Sequence, residues 1–360
     1  MAISLQSLFK RGTPPLLGID ISASNVKLVE LVPGGKARMR LERYAIEPIE
    51  RGAIVDGNVE KPEAVADALL RAIRRVGAKT RLAALALPSS AVIAKRITLP
   101  AGQDEESYEL QVENEASQYI PFSIDEVNLD FQVLGPSPAS DEDVEVLLAA
   151  SRKEKVEDRV AIAEMAGLRP VVIDVEPYAA RASIDHVTRY LPNEGDGMIL
   201  AVFDIGQNTT NLTVVLNGQT IFERDQTFGG SQLTQDIVRL YGLTLEEAEL
   251  KKKSGDLPDN YGSELLTPFV EQGATEVARS LQFFFTSTPH ARVDRIFLAG
   301  GCAVTPGLAE AVAERTQVPT EIMSPFQGME VAGGIRERQL RIDAPALMVG
   351  CGLAMRRFDE

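Results

Sequence analysis

The sequence has few of the residues that build metal centres, disulfide scaffolds or histidine-based active sites. Its 360 residues include two cysteines (Cys302 and Cys351), two histidines (His186 and His290) and no tryptophan. The cysteines are far apart and the histidines are isolated, so neither a His/Cys metal site nor a His-based catalytic triad is expected. Both thiols are interpreted as buried and reduced, as is usual in a cytoplasmic protein.

Long apolar runs and an excess of basic residues are missing as well. No run of about 18 apolar residues and no signal peptide is recognisable, so a transmembrane helix is not expected. With 37 Lys and Arg against 52 Asp and Glu, the net charge is -15, which argues against nucleic acid as a partner. The hydrophobic content of 44% and the chain length are sufficient for two domains or one large bilobed domain.

Two segments share one pattern: LLGIDISASNVKL (residues 16–28) and AVFDIGQNTTNL (residues 201–212). In both, a Leu stands eight residues after the Asp, which is Asp20 or Asp204, and a Gly stands fourteen residues after it. We call residues 22–25 the first turn and residues 206–210 the second turn. Because strand meanders alternate with helices in both halves of the chain, the pattern is interpreted as an internal repeat that predicts two related α/β lobes. Chance similarity of two hairpins is the alternative.

The two turns are typical of phosphate-binding loops, because turns of small residues expose successive backbone N–H groups. Gly206 permits close approach to the backbone, and Lys27 supplies a positive charge. A carboxylate beside a phosphate is repelled unless a cation lies between them. Asp20 and Asp204 are therefore predicted to hold Mg2+, directly or through water, or else only to cap their turns by hydrogen bonds. Further hydroxyl donors are Ser22, Ser24, Thr209 and Thr210.

A third glycine-rich turn, AGGCAVTPG (residues 299–307), stands between a predicted strand and a predicted helix. Gly300 and Gly301 are candidates to approach a sugar or a base, and the start of the following helix favours an anion. This third turn is neither the dinucleotide-binding fingerprint nor the P-loop, since both of those sequences are missing from the chain.

Taken in order, these motifs resemble those of the actin/Hsp70/sugar-kinase superfamily. LLGIDISASNVKL resembles the first phosphate loop, AVFDIGQNTTNLTVV the second, IFLAGGCAVTPGL the adenosine motif, and VEPYAARA (residues 175–182) the first connecting segment. Within the superfamily the chain resembles the PilM family of type IV pilus assembly proteins, relatives of the cell-division protein FtsA. This resemblance rests on SLFKR ahead of GIDIS, ENEASQYIPFSIDEVNLDFQVLG (residues 113–135), SLQFFF (residues 280–285) and DAPALMVGCGLAMRRFD at the end.

The resemblance implies an α/β fold of the bilobed actin-like type, in which a ribonuclease H-like lobe is duplicated. Residues 16–87 and 171–197, with a C-terminal helix over 344–360, are assigned to the first lobe, and residues 198–343 to the second. Residues 88–170 are predicted as a βαββα block, which corresponds to the inserted α+β subdomain of FtsA-like proteins. Residues 1–15 are predicted to be a flexible segment.

The resemblance also implies binding of ATP or ADP with Mg2+, and a weak ATPase activity at most. The binding residues carried over by motif are Asp20, Ser22, Ser24, Asn25, Lys27, Asp204, Gly206, Thr209, Thr210, Gly229, Gly230, Gly300 and Gly301. Glu176 is the candidate for orienting water, or else a charge at a helix N-terminus. Glu247 and Lys251 resemble the E-x-x-K pair that contacts ribose and adenine, with a spacing one residue longer than the family's. Their alternative is a solvated helix face with i,i+4 ion pairs.

For partners, the resemblance implies the N-terminal cytoplasmic peptide of the inner-membrane protein PilN, the pilus motor ATPases and the platform protein, with self-association as a further option. The protein is then expected in the cytoplasm, at the inner face of the inner membrane through PilN. Tyr119, Ile120, Pro121 and Phe122 are candidates for the peptide groove, or equally for a core-packed helix end. An FtsA-like filament former and a metabolic kinase of the same superfamily are the competing functions.

Overall fold

The computed structural model describes residues 14–35, 38–55 and 57–358, so the predicted flexible segment 1–15 lies almost entirely outside the described residues. Within the described chain, contacts separate two compact units. The first unit consists of residues 14–32, 42–180 and 352–358, and the second of residues 33–41 and 181–351. Both units are therefore assembled from segments that are discontinuous in sequence.

The first unit begins with the predicted meander of three strands. Its elements up to residue 87 are β1 (Leu17–Ile21), β2 (Asn25–Pro33), β3 (Met39–Pro48), β4 (Ile54–Val55), β5 (Asn58–Val59), α1 (Pro62–Val76) and β6 (Leu82–Leu87). They are followed by β7 (Val92–Pro100), α2 (Glu105–Ala116), β8 (Val127–Ser137), β9 (Ser140–Arg152), α3 (Lys153–Met165), β10 (Arg169–Val175) and α4 (Glu176–Thr188). The strand order of the main sheet in this unit is β10–β6–β1–β2–β3.

Apolar patterning explains the core of the first unit. Strand β1 is buried along its whole length, as expected of a central strand with both faces covered. Helix α1 has Pro62 at its start and ends at Gly77, whose φ of 63° is the left-handed conformation that commonly ends helices. One face of α1 is buried through Val65, Ala66, Ala68, Leu69, Ala72 and Ile73.

Strands β1, β6 and β10 run parallel, so their carboxyl ends lie at one edge of the sheet. The residue before Asp20 pairs with Leu85, and the next residue of β6, Ala86, pairs with Asp174. This register brings Asp20 and Glu176, which directly follows β10, to the edge that also carries the first turn. Ligands of open α/β sheets bind outside the carboxyl ends of the strands.

The predicted βαββα order of residues 88–170 is confirmed. Strands β7, β9 and β8 form a separate antiparallel sheet in that order, and α2 packs on it through Tyr108 and Val112. The last helix of the block, α3, packs differently, because its Ile162 and Ala163 belong to the core that contains α1. Helix α3 thus joins the inserted block to the main core of the first unit.

The second unit contains the second predicted meander and most of the remaining helices. Its elements are β11 (Ile199–Ile205), β12 (Thr210–Leu216), β13 (Gln219–Gln226), α5 (Gly230–Tyr241), α6 (Leu245–Ser254), α7 (Thr267–Ser287), β14 (Arg295–Ala299), α8 (Leu308–Thr316), β15 (Thr320–Ile322), β16 (Glu330–Val331), α9 (Glu337–Asp343) and the start of α10 (Met348–Met355). The boundary between the units also falls within α4, after Ala180. Its sheet has the order β13–β12–β11–β14–β15, and β16 pairs with the start of β3. No helix in the described ranges has the length and apolar character needed to cross a membrane.

Strand pairing confirms the internal repeat. Asp20 lies opposite Lys27 in the β1–β2 pair, and Asp204 lies opposite Asn211 in the β11–β12 pair. On its other side each aspartate-bearing strand has a parallel neighbour, which is β6 for β1 and β14 for β11. The first and second turns therefore occupy equivalent places in two equivalent sheets.

The C-terminal residues complete the first unit. Gly352 of α10 lies so close to α4 that a Cβ atom there would be 1.7 Å from the carbonyl oxygen of Ala179. Four residues later, Arg356 donates to Asp174 Oδ2 from Nε at 2.7 Å and from Nη2 at 2.6 Å. Asp174 is 9% exposed, so these two contacts to one carboxylate oxygen compensate a buried charge at the end of β10.

Candidate functional site

Asp20, near the end of β1, is paired with Lys27 of β2. The two residues face each other across the antiparallel pair, and Lys27 Nζ donates to Asp20 Oδ2 at 2.8 Å. The side chain of Asp20 is 5% exposed and that of Lys27 is 17% exposed. Because burial disfavours an uncompensated carboxylate, Lys27 stabilises the charge of Asp20. The predicted positive charge is therefore present beside the first turn, and an acidic partner balances it.

The first turn is held closed by its own polar groups. Ser22 donates to the carbonyl oxygen of Asn25 from both its backbone nitrogen and its hydroxyl, each at 3.0 Å. The side-chain amide of Asn25 donates to Ser24 Oγ at 2.7 Å. Ala23 at the tip is exposed, whereas the other three residues are half-buried. The predicted residues thus form one compact turn in which the hydroxyls contact neighbours within the turn.

Arg159 of α3 is not among the candidates from sequence, yet it lies at the same edge of the sheet. It is 3% exposed, and its Nε donates to the carbonyl oxygen of Ala86 at 3.4 Å. Burial lowers the pKa of the guanidinium, while the negative charges of Glu176, Asp158 and Asp20 oppose this effect. Arg159 is therefore within electrostatic reach of both predicted carboxylates of the first unit. No sequence signal marks it, because a lone arginine in a helix of this composition more often faces solvent.

In the second unit, the second turn joins β11 to β12. The backbone nitrogen of Gly206 donates to the carbonyl oxygen of Thr209 at 2.9 Å, and Thr209 itself is exposed. Thr210 differs, since it is fully buried and its hydroxyl donates to the carbonyl oxygen of Phe228 at 2.8 Å. The structure therefore gives Thr210 a contact within the protein in place of the predicted phosphate contact.

The second turn packs closely against Gly229 and Gly230. The backbone nitrogen of Gly230 donates to the carbonyl oxygen of Gly206 at 3.1 Å, and Cys302 Sγ donates to the same oxygen at 3.2 Å. A Cβ at Gly229 would lie 2.4 Å from the carbonyl oxygen of Gln207, and one at Gly230 would lie 2.6 Å from Cys302 Sγ. Gly229 is therefore required for packing against the second turn, and Gly230 for packing against Cys302 of the third turn.

The third turn is rich in glycine for two different reasons. Gly300 has a φ of 84°, and a Cβ there would lie 2.4 Å from both Asp204 Oδ1 and the carbonyl oxygen of Ile205. Gly301 is exposed, and nothing lies within 4 Å of the place that a Cβ would take. Gly300 is thus tied to the end of β11 beside Asp204, whereas Gly301 leaves open space for a ligand.

Glu247 and Lys251 make their contacts at the two ends of α6. Glu247 forms a capping box with Thr244, whose backbone nitrogen donates to Glu247 Oε2 at 2.8 Å. The hydrogen bonds from Thr244 lower the pKa of Glu247. Lys251 Nζ pairs with Asp256 Oδ2 at 3.0 Å beyond the helix end. These contacts differ from the predicted ribose contact and from the alternative i,i+4 ion pair.

Glu249 and Lys252 form the pair that has E-x-x-K spacing. Lys252 Nζ donates to Glu249 Oε1 at 2.7 Å and to Thr234 Oγ1 at 2.5 Å. Burial raises the pKa of Glu249, but Lys252 and the Thr234 hydroxyl more than offset this, so the pKa is lowered. The Thr234 hydroxyl also donates to the carbonyl oxygen of Gly230 at 3.0 Å, which links the pair to the loops of the second unit.

Sequence carries a signal for this pair. In LEEAELKKK (residues 245–253), Glu249 alone has a lysine three residues later. The pair also lies near the third turn, because the charges of Lys252, Glu249 and Asp204 all act on the thiol of Cys302. The E-x-x-K spacing therefore marks Glu249 and Lys252, the pair that lies near the loops of the second unit.

Gln232 is a further residue of this region that the sequence-based candidates omit. It lies in the first turn of α5, and its side-chain oxygen is buried without a hydrogen-bond partner in the described part of the chain. Its backbone nitrogen donates to the carbonyl oxygen of Gly229 at 3.2 Å. A buried acceptor without a donor is costly unless water or a ligand supplies the donor.

Residues 119–122, which follow α2, are divided between core and surface. Ile120 is 5% exposed and packs in a small core at the end of α2. Tyr119 and Phe122 are 43% and 40% exposed, and Pro121 is exposed as well. The guanidinium of Arg152 lies over the ring of Phe122, 5.2 Å from its centroid. Core packing therefore accounts for Ile120, and three neighbouring residues form an apolar surface.

Comparison with known proteins identifies the family. A family model described as type IV pilus assembly protein PilM matches residues 18–358. The chain belongs to this PilM family. A chain in a solved PilM–PilN type IV pilus biogenesis complex is 30% identical, and the alignment covers 97% of this chain and 100% of that one, with a TM-score of 0.78. The predicted actin-like α/β fold is thereby confirmed.

Other relatives of this PilM-family chain match it less completely. The ethanolamine utilization protein EutJ from Carboxydothermus hydrogenoformans has a TM-score of 0.57 at 18% identity, over 95% of this chain and 89% of EutJ, which shows the fold. Cell division protein FtsA of Bacillus subtilis (strain 168) is 25% identical over 257 residues, which are 66% of this chain and 57% of FtsA. EutJ of Escherichia coli (strain K12) is 30% identical over 112 residues, 30% of this chain and 36% of EutJ. The matches span about half or less of these two curated relatives.

Proposed function

We propose that this PilM-family protein is an ATP-binding scaffold of the type IV pilus inner-membrane complex, and that it binds the N-terminal cytoplasmic segment of PilN. The observation that carries the proposal is the end-to-end similarity to a chain of the PilM–PilN complex. PilN would hold the protein at the inner face of the inner membrane. The pilus motor ATPases and the platform protein are further proposed partners.

The inserted block offers the surface for the PilN segment. Tyr119, Pro121 and Phe122 are exposed apolar residues next to one another. Residues 97–151 contain thirteen Asp or Glu and neither Lys nor Arg. The charged residues of this segment are all acidic, with Arg152 over Phe122 as the basic neighbour just beyond it. An apolar surface in this setting suits an extended peptide that combines apolar and basic side chains.

For the nucleotide, features of the second unit support the proposal. Gly301 leaves open space, Thr209 is exposed, and the buried oxygen of Gln232 needs a donor such as a sugar hydroxyl or an amino group. We propose that Glu249 and Lys252 take the place of Glu247 and Lys251 as the contacts to ribose and adenine. The remaining proposed contacts are Gly206, Gly229, Gly230 and Gly300, with Ser22, Ser24, Asn25 and Lys27 in the first unit.

Mg2+ would be held jointly by protein and nucleotide. Within the described ranges, no group of three or more His, Cys, Asp or Glu side chains is arranged to hold a metal ion. Mg2+ in nucleotide sites is usually bound by one or two carboxylates and by the phosphates themselves. Asp204 and Asp20 are the proposed carboxylates. Bound ATP would supply a transferable terminal phosphoryl group, and Glu176 would orient a water molecule for slow hydrolysis.

The test is a titration with a synthetic peptide that copies the N-terminal segment of the cognate PilN, with and without ATP and Mg2+. Saturable binding at tens of micromolar peptide or below is expected, and a scrambled peptide of the same charge should not bind. The double variant Tyr119→Ser/Phe122→Ser should bind much less. Leu240→Ser is the matched control, because Leu240 is similarly exposed at 44% but lies in the second unit. Failure of the cognate peptide to bind in either state would rule out the PilN part of the proposal.

An FtsA-like filament former is the second candidate. It is favoured by the 25% identity to FtsA over 257 residues. Sedimentation of the protein with ATP and Mg2+ distinguishes the two, since filaments pellet and a scaffold of single molecules does not.

A further inference from the structure

Arg159 has a buried guanidinium whose bonding capacity is largely unused. The residue is 3% exposed, and arginines this buried normally have acceptors for their five N–H groups. Among the described residues its one hydrogen bond runs from Nε to the carbonyl oxygen of Ala86, at 3.4 Å. No hydrogen bond or ion pair of Nη1 or Nη2 is seen in that part of the chain, and neither atom is among its fully buried polar atoms without a partner, so both reach solvent-accessible space. Charged donors that reach such space from an otherwise buried side chain can bind an acceptor that comes from outside the protein.

The position of Arg159 indicates what kind of acceptor this is. Ala86, which anchors Nε, lies near the carboxyl end of β6, next to the end of β1 that carries Asp20. Glu176 and Asp20 act electrostatically on the guanidinium from the same edge of the sheet. The guanidinium therefore lies among the residues proposed for phosphate and Mg2+, on the side of the first turn.

A purely structural role explains Arg159 less well. Its Nε contact ties α3 to β6, and the charges of Glu176, Asp158 and Asp20 favour a cation here, but neither role needs Nη donors that reach solvent-accessible space. The neighbouring residues Ile162 and Ala163 of α3 already attach this helix to the main core. Arginine has the planar fork that binds phosphate oxygens in pairs, which an anchoring role does not need.

We propose that Arg159 is an anion-binding residue of the nucleotide site, and that its Nη groups donate to a phosphate group held at the first turn. This rests on the proposed nucleotide binding. Because α3 is the last helix of the inserted block, the same residue makes that block a direct part of the nucleotide site. A partner that moves the block would then alter phosphate binding.

The test compares ATP with adenosine, which lacks phosphate. Equilibrium affinities of both are measured for the wild type, Arg159→Met, Arg159→Gln and Arg152→Met. Both Arg159 variants should weaken ATP binding about tenfold or more and leave adenosine binding unchanged, because one charge-assisted pair is lost. Arg152 immediately precedes α3 and its side chain is 46% exposed, so Arg152→Met should bind both ligands like the wild type.

Each outcome is decisive. If folded Arg159→Met binds ATP as tightly as the wild type, or loses ATP and adenosine equally, the assignment is wrong. If Arg159→Met does not fold, as judged by circular dichroism, Arg159→Gln carries the same expectation. If the wild type itself binds no ATP, both the proposed nucleotide binding and the assignment of Arg159 are wrong. If the wild type binds ATP and the substitution does not change the affinity, only the assignment of Arg159 is wrong.

Discussion

Asp20 and Lys27 form a 2.8 Å ion pair across β1 and β2, at the position where the repeat places Asn211 opposite Asp204. The two copies of the motif are therefore alike in backbone and different in charge. Asn211 donates instead to Asp225 Oδ1 at 2.8 Å. Of the two predicted Mg2+ ligands, Asp20 therefore has a lysine opposite it on the neighbouring strand, and Asp204 has an asparagine there.

This pair predicts a stability effect. Lys27→Met leaves the Asp20 carboxylate in a buried place without its partner, and the free energy of unfolding should fall by about 3–5 kcal/mol. The double variant Asp20→Asn/Lys27→Met removes the charge as well and should be more stable than Lys27→Met alone. Urea denaturation of the single and double variants measures both effects. Equal stability of the two would show that Asp20 does not depend on Lys27.

The loop packing around Cys302 predicts a rescue. Gly230→Ala places a methyl group 2.6 Å from Cys302 Sγ and should destabilise the protein by about 1–3 kcal/mol through overpacking. Cys302→Ala removes the sulfur and should restore most of this loss in the double variant. Gly300→Ala should not be rescued, because its new methyl group would meet the carbonyl oxygen of Ile205 at 2.4 Å. The melting temperatures of Gly230→Ala and Gly300→Ala, each with and without Cys302→Ala, are compared with that of the wild type.

Of the acidic and basic residues of α6, we expect Glu249 and Lys252 to contribute to nucleotide affinity, and Glu247 and Lys251 not to contribute. Glu249→Gln and Lys252→Met should each weaken ATP binding about tenfold, since a hydrogen bond involving a charged group is lost. Glu247→Gln and Lys251→Met are the matched controls on the same helix, and Gln at residue 247 keeps a capping box possible. Their ATP affinity should equal that of the wild type. The assignment would be reversed if the controls lost affinity and the first two variants did not.

The aspartates predict a difference in Mg2+ dependence. Asp204→Asn should remove the part of ATP affinity that depends on Mg2+ and leave the fold intact. Asp20→Asn should have the smaller effect, because Asp20 already has Lys27 as a partner. The ATP affinity of each variant is measured by calorimetric titration, once in the presence of Mg2+ and once in the presence of EDTA. An Asp204→Asn variant with unchanged Mg2+ dependence would remove Asp204 from the proposed site.

The thiols predict a pH effect. Burial raises the pKa of Cys302 to about 11 and that of Cys351 to about 12, above their ordinary value of about 9. The folded state therefore keeps both thiols protonated at pH values at which the unfolded state ionises. This contribution to stability is complete below pH 9 and is lost as the pH rises from about 9 to 11 or 12. Cys351 is buried as predicted, whereas Cys302 is only half-buried. Thiol reagents at pH 8 should still react slowly with the native protein and rapidly in denaturant, because both thiols stay protonated, and rapid native reaction would contradict the raised pKa values.

Much of the fold could be predicted because its signals are local. Apolar runs such as LGIDI and ILAVFDI mark central strands, and the Gly and Asp residues that follow mark the turns at their ends. The equal offsets in the two copies then indicate a duplicated sheet, which strand pairing confirms. The βαββα order of the inserted block was equally readable, since strand and helix periods alternate there.

The orientation of individual side chains was harder to predict. Thr209 and Thr210 are neighbours in sequence, but one is exposed and the other fully buried, because successive residues at a strand start point in opposite directions. Tyr119 and Ile120, in the turn that follows α2, are likewise divided between surface and core. Arg159 could not be recognised at all, since its role depends on how α3 packs against β6, and that contact joins residues 73 positions apart.

Residues 352–358 are synthesised after the whole of the second unit, yet they belong to the first. Until they leave the ribosome, Asp174 has no Arg356 to pair with, and α4 has no Gly352 to pack against. Residues 181–351 are all available before that moment. The first unit therefore cannot make these contacts until residues 352–358 have been synthesised, whereas domains usually fold in N-terminal-first order. A nascent chain stalled at residue 351 should expose an unfinished first unit to proteases and chaperones.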